Sequence, residues 1–364
     1  MFEENFDYDI SELEQKPETF AKFTAGNAEG HYLFDEEGGK YLDLTSNDDY
    51  LPLGYFKKNN AGGFYETQTI RSKNSLILEK LIKESIGFEN SRFFAEKQSA
   101  YNFVKKIINK KPEKSVLVCS SEADNFVFAD KEVINIPLND VSAVKTFLNK
   151  KTEAVAVEIS QVKNSFSIAE ADYLTLLREY CDKNSAMLVY DVSSISSLRL
   201  SRGLFNFEDS VKPDVIISSR GLTAGSSLYI VSFNTDTPDS GACGIYSCAY
   251  AEAIEFIQNQ DDYKALITEN SKYIEEKFRE LAEVHIGLAD FISCGMMFAA
   301  VTEIPAEKLA EEALSKGVFL KPLNEYSILL CPPYNITKEE IDRVIEVFNE
   351  LFNELTQHDR LIVY

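Results

Sequence analysis

Short uninterrupted apolar runs alternate along the chain with longer segments whose apolar residues recur every three or four positions. Residues 186–190 (AMLVY) and 215–217 (VII) are brief, rich in β-formers and closed by small polar residues, which predicts two strands buried on both faces of a parallel sheet. Residues 115–119, 133–136, 154–159 and 228–233 read as further strands. Between them, 75–86 carries Leu76, Leu78, Leu81, Ile82 and Ile86 at helical spacing. A short strand at 93–94 leads into a basic-ended helix, 140–149 reads as a helix opened by an Asp cap, and 170–184 as an amphipathic helix. Residues 1–30 read as a loose acidic arm, and 31–44 as a hairpin turning at 36–39. Residues 235–246 read as an irregular loop, and 248–282 as long helices with acidic faces. The last part, 291–352, reads as a small α+β unit, with Thr337 followed by Glu339 and Glu340 as a helix cap.

Strands alternating with helices predict a doubly wound α/β sheet, whose ligands bind at the carboxyl ends of its strands. Asp191 stands at the end of one predicted strand and Arg220 just past the end of another, so the pair is a site candidate.

Composition narrows the partners. The 364 residues carry 59 acidic and 37 basic side chains, a net charge of −22, which argues against nucleic acid and anionic membrane surfaces. No apolar run is long enough to span a bilayer, and the N-terminal stretch is acidic and broken by charges. The cysteines, Cys119, Cys181, Cys243, Cys248, Cys294 and Cys331, have no metal-ligand spacing, so reduced thiols and a cytoplasmic location are expected, with no metal.

The stretch VKPDVIISSRGL, with Asp191 placed 29 residues before Arg220, resembles the core of the class III, ornithine-type, pyridoxal-phosphate aminotransferases. That family has Lys-Pro-Asp, then a lysine followed by Gly-Leu. Here Lys212-Pro213-Asp214, Arg199 and Gly221-Leu222 match by position, and Arg220 stands where the resemblance places the Schiff-base lysine. Arginine stays protonated and offers no amine nucleophile, so covalent attachment of the cofactor is not expected. Phe93-Phe94-Ala95 and Asn102 match the family's Phe-Phe-Ala-Asn-Ser-Gly-Ala-Glu-Ala-Asn, but its phosphate turn reads Glu96-Lys97-Gln98-Ser99 here, without the glycine. The segment before residue 133 lacks the family's stacking Phe-His-Gly; Phe126 and Phe128 are the nearest aromatics. Ser240 is a poor match for the threonine that reaches the partner's phosphate. Near the C-terminus, Lys321 and Leu329 stand where two branches of the family have a substrate arginine.

The resemblance implies an α/β fold-type I transferase, with a mainly parallel sheet, helices on both faces and a small α+β domain from both chain ends. Its stretches are 1–55 (arm and hairpin of the small domain), 56–285 (large domain) and 286–364 (C-terminal small domain). It implies a homodimer, while a catalytically silent chain would instead suit a heterodimer with an active paralogue. By resemblance, Asp191, Lys97, Gln98, Ser99, Glu158 and Gln161 would touch pyridoxal phosphate, Arg199 and Lys321 a substrate, and Arg220 the reacting position. Three functions remain open. One is an aminotransferase acting on an acetylornithine-like or ω-amino donor. The second is a catalytically silent homologue in which Asp191 is a buried acid, with Arg220 as its partner. The third is a small anion pocket formed by Arg220, Lys97 and Arg199.

Overall fold

In the computed structural model, the described residues are 25–35, 37–55, 65–66, 73–108, 111, 113–121, 126, 128, 131–163, 165–223, 227–235 and 245–360. The expected arm over 1–24, residue 36 of the hairpin turn, and Ser240 lie outside them.

At the centre is a seven-stranded sheet in the order Asn90–Phe94, Tyr229–Phe233, Val215–Ser218, Met187–Asp191, Thr152–Glu158, Ser115–Cys119, Val133–Asn135. Five of these pair in parallel, while Tyr229–Phe233 runs antiparallel to both its neighbours. The expected mainly parallel sheet is therefore present. Thr152–Glu158 is buried at all seven positions, as a central strand covered on both faces should be. Alternation along the strands divides two cores. Val155, Val157, Leu188, Tyr190 and Ile216 face one; Ala154, Ala156, Val189, Val215 and Ile217 face the other, beneath the helix Lys97–Ile108.

From Ser115–Cys119 the chain goes to one side, to Val133–Asn135, and then returns to the other, to Thr152–Glu158. The strand order reverses at that point, leaving a crevice at the carboxyl ends, the usual ligand position in such sheets.

The smaller part joins both ends of the chain. The hairpin Tyr32–Asp35 and Lys40–Asp43 pairs as expected, and Lys40–Asp43 then pairs in parallel with Val318–Phe319. A second sheet orders Leu288–Cys294, Met297–Thr302, Ser327–Leu330 and Lys321–Asn324. The last helix, Lys338–Arg360, opens with the expected cap: Glu340 N–H donates to Thr337 Oγ1 and Thr337 N–H to Glu340 Oε2.

One expectation is corrected. The reading of 1–30 as a loose arm fails at Ala25–Glu29, which is a strand antiparallel to Tyr32–Asp35. The segment AGNAEG has little β propensity, and Gly30, at φ 61°, turns it back onto a neighbour that supplies the pairing.

Candidate functional site

The crevice holds a cavity of about 200 Å³. Glu158, at the carboxyl end of its strand, and Ser121, Ser160, Ser194 and Arg220, just past the ends of four central strands, reach it, and Met297, Lys321, Leu329 and Cys331 close it from the small part. Thr45, Asp49, Val162 and Lys163 complete the wall. Three cations and two acids thus line it, and each acid has its own partners. Glu158 Oε2 accepts from Ser120 Oγ at 3.0 Å, Ser121 N–H at 2.8 Å and Ser121 Oγ at 2.8 Å. Asp49 is held by Arg199. The guanidinium of Arg220 lies over the ring of Tyr50, 4.2 Å from its centroid, a cation–π contact at the edge of the cavity.

Arg199 does not line the cavity. It is fully buried, donating from Nε (2.8 Å) and Nη2 (2.5 Å) to Asp49 Oδ1 and from Nη1 to the carbonyls of Pro332 (2.6 Å) and Met296 (3.2 Å). Its guanidinium lies over the ring of Tyr334, 4.5 Å from the centroid, in a cation–π contact. Burial works against the charge, but the Asp49 carboxylate outweighs it and holds the guanidinium above its ordinary pKa. Asp49 ends the turn Ser46–Asp49, in which Ser46, Asn47 and Asp49 have φ of 49°, 53° and 63°. Such left-handed backbone is held by its surroundings. Here Ser196 N–H donates to Asp49 Oδ2 at 2.8 Å, and Ser46 Oγ to the Cys331 carbonyl at 2.6 Å. The side chain expected to bind substrate instead ties the central sheet to both chain ends.

Asp191 is buried on the face beneath the helix Lys97–Ile108, because it follows Val189 by two positions. Its Oδ1 accepts from Ser193 N–H at 3.0 Å and Ser193 Oγ at 2.7 Å, and its Oδ2 from the Tyr101 hydroxyl. Burial pushes its carboxyl up to about 6, against the lowering effect of those hydrogen bonds. Tyr101, 1% exposed, packs edge-on against the fully buried Phe126, with ring centroids 5.3 Å apart. Arg220 is therefore not the partner of Asp191.

The remaining candidates are dispersed. Lys97, Gln98 and Ser99 form the first turn of their helix and do not line the cavity. Lys97 Nζ lies 5.7 Å from the Tyr101 ring centroid, and Gln98 Nε2 donates to Asn102 Oδ1 at 3.0 Å. Gln161 Nε2 donates to the Cys119 carbonyl at 3.1 Å. The expected anion pocket of Arg220, Lys97 and Arg199 is thus not assembled; the cations that share the cavity are Arg220, Lys321 and Lys163. Sequence reasoning missed Tyr101 and Asp49. The signal for Tyr101 was present, a bulky aromatic where the matched pattern has alanine.

At the positions that the resemblance assigns to them, the residues do not reproduce the family's hold on pyridoxal phosphate. Residue 220 offers no amine, both oxygens of Asp191 already accept hydrogen bonds, and Asp191 lies outside the cavity wall. Among the described residues no group of three His, Cys, Asp or Glu side chains could hold a metal, and no helix is long and apolar enough to cross a membrane.

Comparison with known proteins gives a consistent family. Residues 106–352 match the family model described as aminotransferase class-III. The chain is 23% identical over 362 residues to an acetylornithine aminotransferase of Streptococcus mutans, covering 90% of this chain and 95% of that protein. It is 26% identical over 233 residues to one of Methanocaldococcus jannaschii, covering 60% of this chain and 58% of that protein. Among solved structures, acetylornithine aminotransferase from Elizabethkingia anophelis superposes with a TM-score of 0.82 at 18% identity, covering 95% of this chain and 97% of that one.

Proposed function

We infer that this chain, which belongs to the class-III aminotransferase family, performs no Schiff-base transamination and holds a small anionic molecule non-covalently. Class III aminotransferases use pyridoxal phosphate, which supplies an electron sink when it is held on a lysine amine. The observation that carries the reading is Arg220, on the cavity wall just past Val215–Ser218. A guanidinium stays charged at any ordinary pH and cannot act as the nucleophile, but its planar fork of donors suits a carboxylate or phosphate.

The rest of the wall supports the same reading. Glu158 is satisfied by serine donors and Asp49 by Arg199, while Arg220, Lys321 and Lys163 place positive charge around the cavity. An anion entering there exchanges water for charge-assisted hydrogen bonds in a partly enclosed space. On this reading the stretches 1–55, 56–285 and 286–364 form the hairpin, large and C-terminal parts of a cytoplasmic homodimer, or of a heterodimer with an active paralogue.

A second reading is favoured by Lys163 and Lys321, two amines on the cavity wall. If either replaces the missing lysine, the protein is an active aminotransferase with an acetylornithine-like or ω-amino donor, as the names of its relatives suggest.

The test is an absorbance spectrum of the wild-type protein with pyridoxal phosphate, before and after borohydride, followed by peptide mapping and a calorimetric titration with succinate. No imine band, together with succinate binding that Arg220→Ala weakens, is expected. A band fixed by reduction to the peptide of Lys163 or Lys321 establishes the second reading instead.

A further inference from the structure

Asp191 is a fully buried carboxylate whose three hydrogen-bond donors, the Tyr101 hydroxyl, the Ser193 hydroxyl and the Ser193 N–H, are all neutral. Neutral donors leave the net charge of a buried carboxylate without a counter-charge, which a cationic donor at the same oxygen would supply. The donor that reaches Oδ2 is carried end-on by a six-membered aromatic ring. That ring is packed edge-on by Phe126, and Lys97 stands 5.7 Å from its centroid.

We propose that Tyr101 is a built-in occupant of a slot that suits a protonated nitrogen heterocycle bearing an anionic arm. The ring N–H of such a molecule would take the hydroxyl's place on Asp191 Oδ2, Phe126 would pack against its ring, and Lys97 would attract its anionic substituent. No such molecule reaches Asp191 while Tyr101 is seated, because the phenol takes up both the volume and the hydrogen bond. The slot is closed by one side chain, and its partners remain in place.

This inference rests on the reading that the site forms no covalent attachment, and it goes further by saying what fills the ring position and what would enter if the position were cleared. The phenol also gives Asp191 a role in a chain without the amine. The carboxylate is needed to satisfy a buried hydroxyl, and leaving that hydroxyl unpaired would be costly.

The experiment uses pyridoxamine phosphate, which has the heterocycle and the anionic arm but no aldehyde. It reports on the slot whether or not a Schiff base can form elsewhere. Equilibrium dialysis is run on wild type, Tyr101→Ala, Tyr101→Leu and Tyr101→Phe, and on the first two variants combined with Asp191→Asn. Tyr101→Leu preserves apolar packing in case the alanine variant does not fold. We expect the alanine or leucine variant to bind at least about ten-fold more tightly than wild type. Asp191→Asn should cancel the gain, phenol should compete for the slot, and Tyr101→Phe, whose ring still fills it, should gain nothing. Wild-type binding as tight as that of the truncated variants overturns the proposal, as does a gain that survives Asp191→Asn.

Discussion

Replacing Arg199 by alanine tests whether this side chain joins the two parts of the molecule. The substitution leaves the buried Asp49 carboxylate uncompensated and removes the donor to the Pro332 and Met296 carbonyls. Breaking a buried ion pair by deleting one partner costs about 3–5 kcal/mol, a large fraction of the roughly 5–15 kcal/mol that stabilises a typical protein. The left-handed backbone at Ser46, Asn47 and Asp49 adds to the effect, because residues held in that region cost about 1 kcal/mol or more each and the clamp is part of what holds them. Arg199→Lys keeps the charge but loses the fork and the guanidinium contact with the Tyr334 ring, so a smaller loss than that of Arg199→Ala is expected from it. The assay is urea denaturation followed by tyrosine fluorescence and far-ultraviolet circular dichroism; the chain has 18 tyrosines and no tryptophan, and two probes test whether unfolding is two-state. If Arg199→Ala is within about 1 kcal/mol of wild type, the clamp does not hold the parts together and the structural assignment of Arg199 fails.

Two further predictions concern titratable groups. Glu340 is held down at about 2: burial raises it, but the His31 hydrogen bond, the Thr337 N–H and Tyr32 together outweigh burial. A depressed folded-state pKa gives stability that is fully present above the unfolded value of 4.5 and is lost as pH falls through about 2. The fall in the urea midpoint between those limits should therefore be shallower in Glu340→Gln, and an unchanged slope would remove the assignment. Burial pushes the thiols of Cys119, Cys181 and Cys331 up to about 12, so a thiol reagent at neutral pH should leave them unmodified in the folded protein and label them on unfolding. Labelling of any of the three at the rate of half-buried Cys248 would contradict their burial.

The central sheet was legible because its signal is local. Runs such as 154–159 and 186–190 state their burial in a few consecutive residues, and the strands formed where those runs lie. The roles of charged residues were not legible in the same way. Arg199 matched a family position and was expected to meet a ligand, yet its partner, Asp49, lies 150 positions away on a left-handed turn with no local signature. Asp191 was recognised as an acid at a strand end, and one of the open readings paired it with Arg220 because an unpaired buried charge is costly. The structure pairs it with a phenol from the facing helix, a contact set by the side-chain alternation of the strand and by the helix packed above it. The strand Ala25–Glu29 shows the limit from the other side, since its sequence has little preference of its own and its neighbour supplies the pairing.

The pairing of Lys40–Asp43 with Val318–Phe319 has a consequence for how the protein is made. The first hairpin leaves the ribosome well before the strand that covers its open edge, the Cys331 N–H that bonds the Leu44 carbonyl, and Glu340, which holds His31. At about 5–20 residues per second the wait is on the order of tens of seconds. Throughout it the nascent chain carries an unpaired strand edge, a template for wrong partners. Fast completion of the C-terminal part, or a chaperone at that edge, should thus govern the yield of native protein more than the folding of the central sheet does.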